Sequence, residues 1–263
     1  MARRATEKTG ARVKRIAVFA LFLIVACHRE TSPTVVFEAG LGDTDDSFHA
    51  VADRVRKVAP VLLYDRAGLG DMPAASTPRT PSNIARELHD RLTKENVAPP
   101  YILVSHSAGA WYALQFASDY RGEVAGLVMI DPTPFHFFDD GVKLLPPEYE
   151  QQMRNYEAKA SPGRRAEWDA RFDAAKEAER ANPSRDLPVT IITGAAESPD
   201  KPEALRQWWL RQHEEWTHQW IGGRHVVVYA GHYVQSENPD AVVAEIVRIV
   251  DSLRSRSSAF RAR

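Results

Sequence analysis

The sequence predicts an α/β fold in which a mostly parallel sheet of about six strands carries helices on both faces and one helical cap insertion. Three observations predict it. Short, apolar, β-branched runs alternate along the chain with longer amphipathic stretches, joined by brief connections. Residues 105–109, small at 105 and 109, follow one such run directly and lead into an alanine-rich helical stretch, which makes a sharp strand-to-helix turn. One connection, residues 132–186, is far longer than a single crossover helix requires.

Strands are expected at 35–38, 61–64, 102–105, 127–130, 189–193 and 226–229, each a short apolar run, as strands covered on both faces should be. Helices are expected at 46–58, 82–96, 108–120, 202–220 and 239–254, with Thr80-Pro81 and Asn238-Pro239 marking two of the starts. The core is thus split into 35–131 and 187–255 by the insertion, which opens on Phe135, Phe137 and Phe138. Its stretch 147–181 is charged yet amphipathic, with Tyr149, Met153, Tyr156, Trp168 and Phe172 as candidate inward residues. Such an insertion closes an apolar pocket and excludes water; the plainer alternative is a helical excursion whose aromatics pack on the sheet. A chain of 263 residues with 44% hydrophobic content can bury one full α/β core.

Residues 1–26 hold six basic side chains and one acid, leaving 28 basic against 34 acidic residues beyond them, a net charge of -6. That surface repels phosphate backbones and excludes nucleic acid as a partner, while the basic end at 256–263 reads as a solvated tail. The basic N-terminus leads into an apolar run of eleven residues, Ile16 to Ala26. It is too short to span a bilayer and has the length of a signal peptide's apolar core. Directly after it stands Cys27, the only cysteine, so no internal disulfide can form. Residues 23–27, Leu-Ile-Val-Ala-Cys, resemble a bacterial lipoprotein signal. The resemblance implies removal of 1–26, lipidation of Cys27, a tether over 27–34 and a membrane anchor on the periplasmic side. His28 after the cysteine resembles the outer-membrane sorting pattern. An uncleaved anchor and a buried thiol are the alternatives. A tether this short holds the N-terminal edge of the sheet near the lipid, so the opposite edge is expected to face away from that membrane.

Ser105-His106-Ser107-Ala108-Gly109 puts a serine at the tip of the sharp turn. A serine hydroxyl is a weak nucleophile until it stands clear of the backbone beside a base and amide donors, and a tight turn supplies that geometry. The pattern resembles the nucleophile elbow of the α/β-hydrolase superfamily, G-x-S-x-G, with Ser105 at the first glycine, where smallness matters more than a positive φ. The likeness covers roughly residues 34–250, points to a serine esterase-like branch, and implies an α/β-hydrolase fold without the first two strands of the full sheet. It implies Ser107 as nucleophile and His232, in Gly231-His232 after the last strand, as general base. The orienting acid should lie between them in the chain. Asp131 ends the next strand, Glu197 follows the strand beyond, and Asp200 is a third candidate; Asp131 is favoured because aspartate is the usual acid and would sit at the sheet edge. The oxyanion donors implied are the backbone amides of Ala108 and of Leu41, in Glu38-Ala39-Gly40-Leu41-Gly42, where Ala39 replaces the family's usual histidine. Asp65-Arg66-Ala67-Gly68-Leu69-Gly70 resembles the family's D-x-R-G-x-G turn and is expected to be structural. His106 should point away from the nucleophile.

Rival chemistries fit less well. Gly40-x-Gly42 and Gly68-x-Gly70 lack the third glycine of a dinucleotide site. His213 and His218 are five residues apart, which turns their rings about 140° from one another on a helix and does not suit zinc. Neither cofactor nor metal is expected. Dehalogenase and epoxide hydrolase branches of the superfamily carry aspartate where this chain has Ser107, so the serine implies acyl chemistry on a small-molecule ester, with amides second. Two non-enzymatic readings compete: a catalytically silent ligand-binding lipoprotein and an interaction module of the cell envelope. Nucleophile, histidine and glycine loop together in one chain favour the enzyme.

Overall fold

The computed structural model describes residues 32–197 and 201–261, the side chains of Glu150, Tyr156 and 257–261 excepted. The expected signal segment, Cys27, most of the tether and Asp200 lie outside the described residues.

Six strands form the sheet: β1 (Thr34–Glu38), β2 (Val61–Leu62), β3 (Tyr101–His106), β4 (Val124–Ile130), β5 (Val189–Gly194) and β6 (Arg224–Val228). Every pairing is parallel and the order is β2-β1-β3-β4-β5-β6. Alternate residues of the central strands enter two separate cores. Val36, Leu103 and Leu127 pack on one face, and Val35, Ile102 and Val128 on the other. This is why these strands read as unbroken apolar runs. β2 is shorter than expected: Leu63 and Tyr64 leave the ladder, and the Tyr64 hydroxyl donates to the Glu38 carboxylate.

The helices are α1 (His49–Val55, after a 3-10 turn at Asp45–Phe48), α2 (Pro81–Lys94), α3 (Gly109–Asp119), α4 (Glu148–Glu157), α5 (Pro162–Glu179), α6 (Glu203–Thr217), α7 (Val234–Glu237) and α8 (Pro239–Arg261). α2 and α5 start alike, with a hydroxyl cap before a proline: Thr80 accepts from the Asn83 amide and Ser161 from the Arg164 amide. The second cap divides the insertion into α4 and α5. α8 passes its expected end at 254 and runs to Arg261, so the expected basic tail starts as helix.

Within the insertion, Tyr149, Met153 and Trp168 are half-buried, whereas Phe172 is 38% exposed and corrects its inward assignment; the Tyr156 side chain lies outside the described residues. The buried face of α5 is instead Glu167, Ala174, Ala175 and Ala178.

The chain leaves β1 outward to β2, then returns to β3 on β1's other side. Strand order reverses between β1 and β3, and a crevice opens beyond the carboxyl ends at such a point. Residues 39–43 and 107–109 emerge there.

Candidate active site

Ser107 sits at φ 54, a left-handed conformation rare for a residue with a side chain. Its amide donates to the Ile130 carbonyl at 3.0 Å, which holds the turn against β4. α3 then leaves so close to β1 that a Cβ on Gly109 would stand 2.5 Å from the carbonyl oxygens of Glu38 and Ala39. Only glycine fits that crossing. Ser105 lies fully buried in β3, where its small size lets the same crossing form.

The turn presents the Ser107 hydroxyl to His232. Oγ is 3.0 Å from His232 Nε2, and His232 Nδ1 is 2.7 Å from Asp131 Oδ2. An ionised carboxylate only accepts, so Nδ1 carries the proton and Nε2 offers its lone pair to the serine. Thr133 Oγ1 lies 2.9 Å from the same serine oxygen and is placed to donate to it. Thr133 is fixed in turn, its carbonyl accepting from Trp111 Nε1 at 2.8 Å.

Asp131, fully buried and at φ 40, is surrounded by donors. Besides His232, it accepts from the Gly194 amide at 3.1 Å, Trp209 Nε1 at 3.1 Å and Lys201 Nζ at 3.0 Å. Burial alone would raise this carboxyl; the Lys201 ammonium, and after it the hydrogen bond from His232, hold it well below the usual carboxylate range. Glu197 is not brought to His232. Its carboxylate is 83% exposed and pairs with Arg206 at 3.3 Å.

His106 points away from the serine, as expected, yet it is not idle. Its Nε2 donates to the His232 carbonyl at 3.0 Å and its ring lies 4.7 Å from that of His232. Burial, and then the nearby His232 charge, push it down to about 3, so it stays neutral. Tyr233, next along, donates to Asp43 at 3.0 Å and links the histidine loop to the loop after β1.

That loop carries one of the two expected oxyanion donors, the Leu41 amide; the other, Ala108, follows Ser107 at the start of α3. Among the described residues neither the Leu41 nor the Ala108 amide donates to a protein acceptor. The loop is set by Arg66, which donates to the carbonyls of Ala39 at 2.7 Å and Gly40 at 2.6 Å, to Glu38 at 2.7 Å, and to both oxygens of Glu167 at 2.8 Å. Glu167 also accepts from the Gly42 amide at 2.7 Å. The turn expected to be structural thus reaches the site through its arginine. The two histidines of the zinc-like pattern separate: His213 is buried between Thr193 and the Pro132 carbonyl, and His218 is exposed. A cavity of about 390 Å³ lined by Leu114, Phe135, Trp216 and Trp220 contains none of the relay residues.

Lys201, Trp209, Thr133 and Glu167 are absent from the sequence reading. Only Thr133, two residues beyond Asp131, had a positional signal; a lysine after an apolar strand or a glutamate on a charged helix looks like any solvated residue.

Residues 35–245 match the Alpha/beta hydrolase family, and the chain belongs to it. Among curated relatives, the uncharacterized protein YqjL of Bacillus subtilis is 34% identical over 107 residues, 40% of this chain and 42% of that protein. The chain therefore aligns with less than half of that relative's length. Among solved structures, a thermophilic esterase from Thermogutta terrifontis superposes with a TM-score of 0.60 at 18% identity, covering 84% of this chain and 90% of the other. The enol-lactonase from Burkholderia xenovorans gives 0.58 at 14% identity, covering 85% and 93%. At these identities the likeness is one of fold.

Proposed function

We propose that this protein is a serine hydrolase that cleaves carboxylic esters, with amides as a second substrate class, through an acyl-enzyme on Ser107. The observation that carries the reading is the unbroken relay from Ser107 Oγ through His232 to Asp131, at 3.0 and 2.7 Å. In this reading His232 Nε2 takes the serine proton as Oγ adds to the substrate carbonyl, and the Leu41 and Ala108 amides receive the developing oxyanion. Asp131 stabilises the imidazolium. His232 then protonates the leaving alcohol or amine, and the same steps with water release the acid. The esterase and enol-lactonase named above share the fold, and a serine rather than an aspartate at position 107 is what supports acyl chemistry as the class.

Ser107→Ala is expected to abolish both fluorophosphonate labelling and turnover of short p-nitrophenyl esters. Retention of either at the wild-type rate would refute the reading. We also propose that Cys27 is lipidated and anchors the enzyme on the periplasmic side of a bacterial membrane, supported by the basic stretch, apolar run and single cysteine of residues 1–27. Cys27→Ala should abolish incorporation of labelled palmitate and release the protein from the membrane fraction. Label retained by that variant would contradict the anchor.

A further inference from the structure

Resting on the serine hydrolase reading, we infer that Lys201 is a positioning residue that acts through Asp131 to set the pH at which His232 becomes free to serve as base. The carboxylate of Asp131 does not need a lysine to be oriented. The Gly194 amide and the Trp209 indole each donate to Oδ1 at 3.1 Å, and His232 occupies Oδ2 at 2.7 Å. What Lys201 adds is charge. Its ammonium is 3.0 Å from Oδ2, the oxygen that His232 uses, so the two nitrogens are within about 6 Å of each other.

The ammonium is held there from several sides. Lys201 is 8% exposed, donates to the Gly194 carbonyl at 3.3 Å, and stands 4.6 Å from the centroid of the Trp209 ring, which also meets the His232 ring edge-on at 6.0 Å. Taking a lysine out of water is costly, and hydrogen bonding alone does not account for its presence. In a relay of serine, histidine and carboxylate, the unopposed anion favours the imidazolium and so delays release of the free base as pH rises. A cation on the same oxygen opposes that effect. Lys201 is therefore expected to extend activity toward lower pH.

Other charged or titratable groups around the relay do not reproduce this. His106, against the His232 ring, and His213, on α6 with its Nε2 at 2.7 Å from the Pro132 carbonyl, are both held down to about 3, chiefly by burial, and are neutral through the working range. Tyr233 donates to Asp43, His225 contacts Thr193, Glu237 accepts from the Gly231 amide, and Arg206 pairs with Glu197 and Glu203. None of these touches the Asp131 carboxylate.

The test is the pH dependence of fluorophosphonate labelling and of kcat/KM on a p-nitrophenyl ester, in wild type, Lys201→Gln, Lys201→Arg and protein carrying Nε-acetyl-lysine at 201. The acidic limb is expected to move up by about one pH unit in the two neutral forms and to stay at the wild-type position in Lys201→Arg. Loss of a purely structural contact would lower rates without moving the limb. A limb unchanged in the neutral forms, or neutral forms recovered only unfolded, would overturn the inference and leave Lys201 a structural counter-ion. Failure of wild type itself to label or turn over would instead overturn the hydrolase reading.

Discussion

Arg66 and Glu167 meet through two parallel contacts of 2.8 Å with side chains 2% and 0% exposed, and they join the insertion to the loop that carries Leu41, whose amide is the proposed oxyanion donor. Arg66 comes from the turn after β2 and Glu167 from α5. Between them they bind Gly40 through its carbonyl and Gly42 through its amide, on either side of Leu41. The insertion is seated here by close backbone contact, since a Cβ on Gly163 would lie 2.0 Å from the Gly68 carbonyl oxygen. A charged pair buried this deeply contributes little net stability by itself, but losing the Glu167 charge leaves Arg66 with Glu38 as its remaining carboxylate and weakens two buried charge-assisted hydrogen bonds.

Glu167→Gln should therefore cost about 2 kcal/mol of stability. In the proposed mechanism it should also lower kcat by about tenfold with little change in KM, because the oxyanion loop acts in the transition state rather than in ground-state binding. Urea unfolding and steady-state kinetics check both. Glu179→Gln removes the half-exposed partner of His136 and should change neither. A Glu167→Gln enzyme with unaltered kcat would mean that the loop is held without the insertion.

The elements most legible in the sequence are those whose pattern has one physical cause. β3 and β4 read clearly because burial on both faces demands unbroken apolar runs, and Ser107 because only a tight crossing needs small residues at 105 and 109. β2 is shorter than its apolar run because Leu63 and Tyr64 are as apolar as strand residues but turn to other partners. The inward face of α5 differs from its sequence pattern for a related reason. Aromatic residues at helical spacing suggest the core, yet the residues that enter are three alanines and Glu167, the last because Arg66 meets it from a segment 101 residues away. Lys201 was invisible for the same cause: the worth of a buried charge depends on a partner brought by the fold, which local spacing does not encode.

Acid should weaken the fold well above the carboxylate range. His106 and His213 are pushed to about 3 in the native state, chiefly by burial, from an ordinary value of 6.5. Below 6.5 the unfolded chain binds protons that the native chain refuses, so stability falls as pH falls from about 6.5 toward 3 and is regained as pH rises. Asp131, held low, adds loss in the same direction only once pH drops below the unfolded carboxylate value. Two such histidines amount to about 4 kcal/mol less stability at pH 5 than at pH 7. Denaturant midpoints at the two pH values measure this, and His213→Gln should remove roughly half of the difference. Equal stability at both would show that these rings do gain protons in the folded protein.

Ser107, the proposed nucleophile, is itself held in a strained conformation. At φ 54 the Cβ of Ser107 is crowded against the backbone, a strain of about 1–2 kcal/mol that persists because the Ile130 carbonyl, the Gly109 crossing and the His232 contact all fix the turn. Ser107→Ala removes the hydroxyl but keeps the Cβ and its strain. Ser107→Gly removes both, at the cost of about 0.5–1 kcal/mol in extra freedom of the unfolded chain. Both variants should be inactive, since neither has an oxygen to attack with, but the glycine variant should be the more stable by about 1 kcal/mol. Calorimetry on the two proteins decides it, because each has lost the same hydrogen bonds and they differ only in the methyl group. Coincident melting would mean that the turn presents its serine without strain, and that the hydroxyl is exposed by the close helix crossing alone.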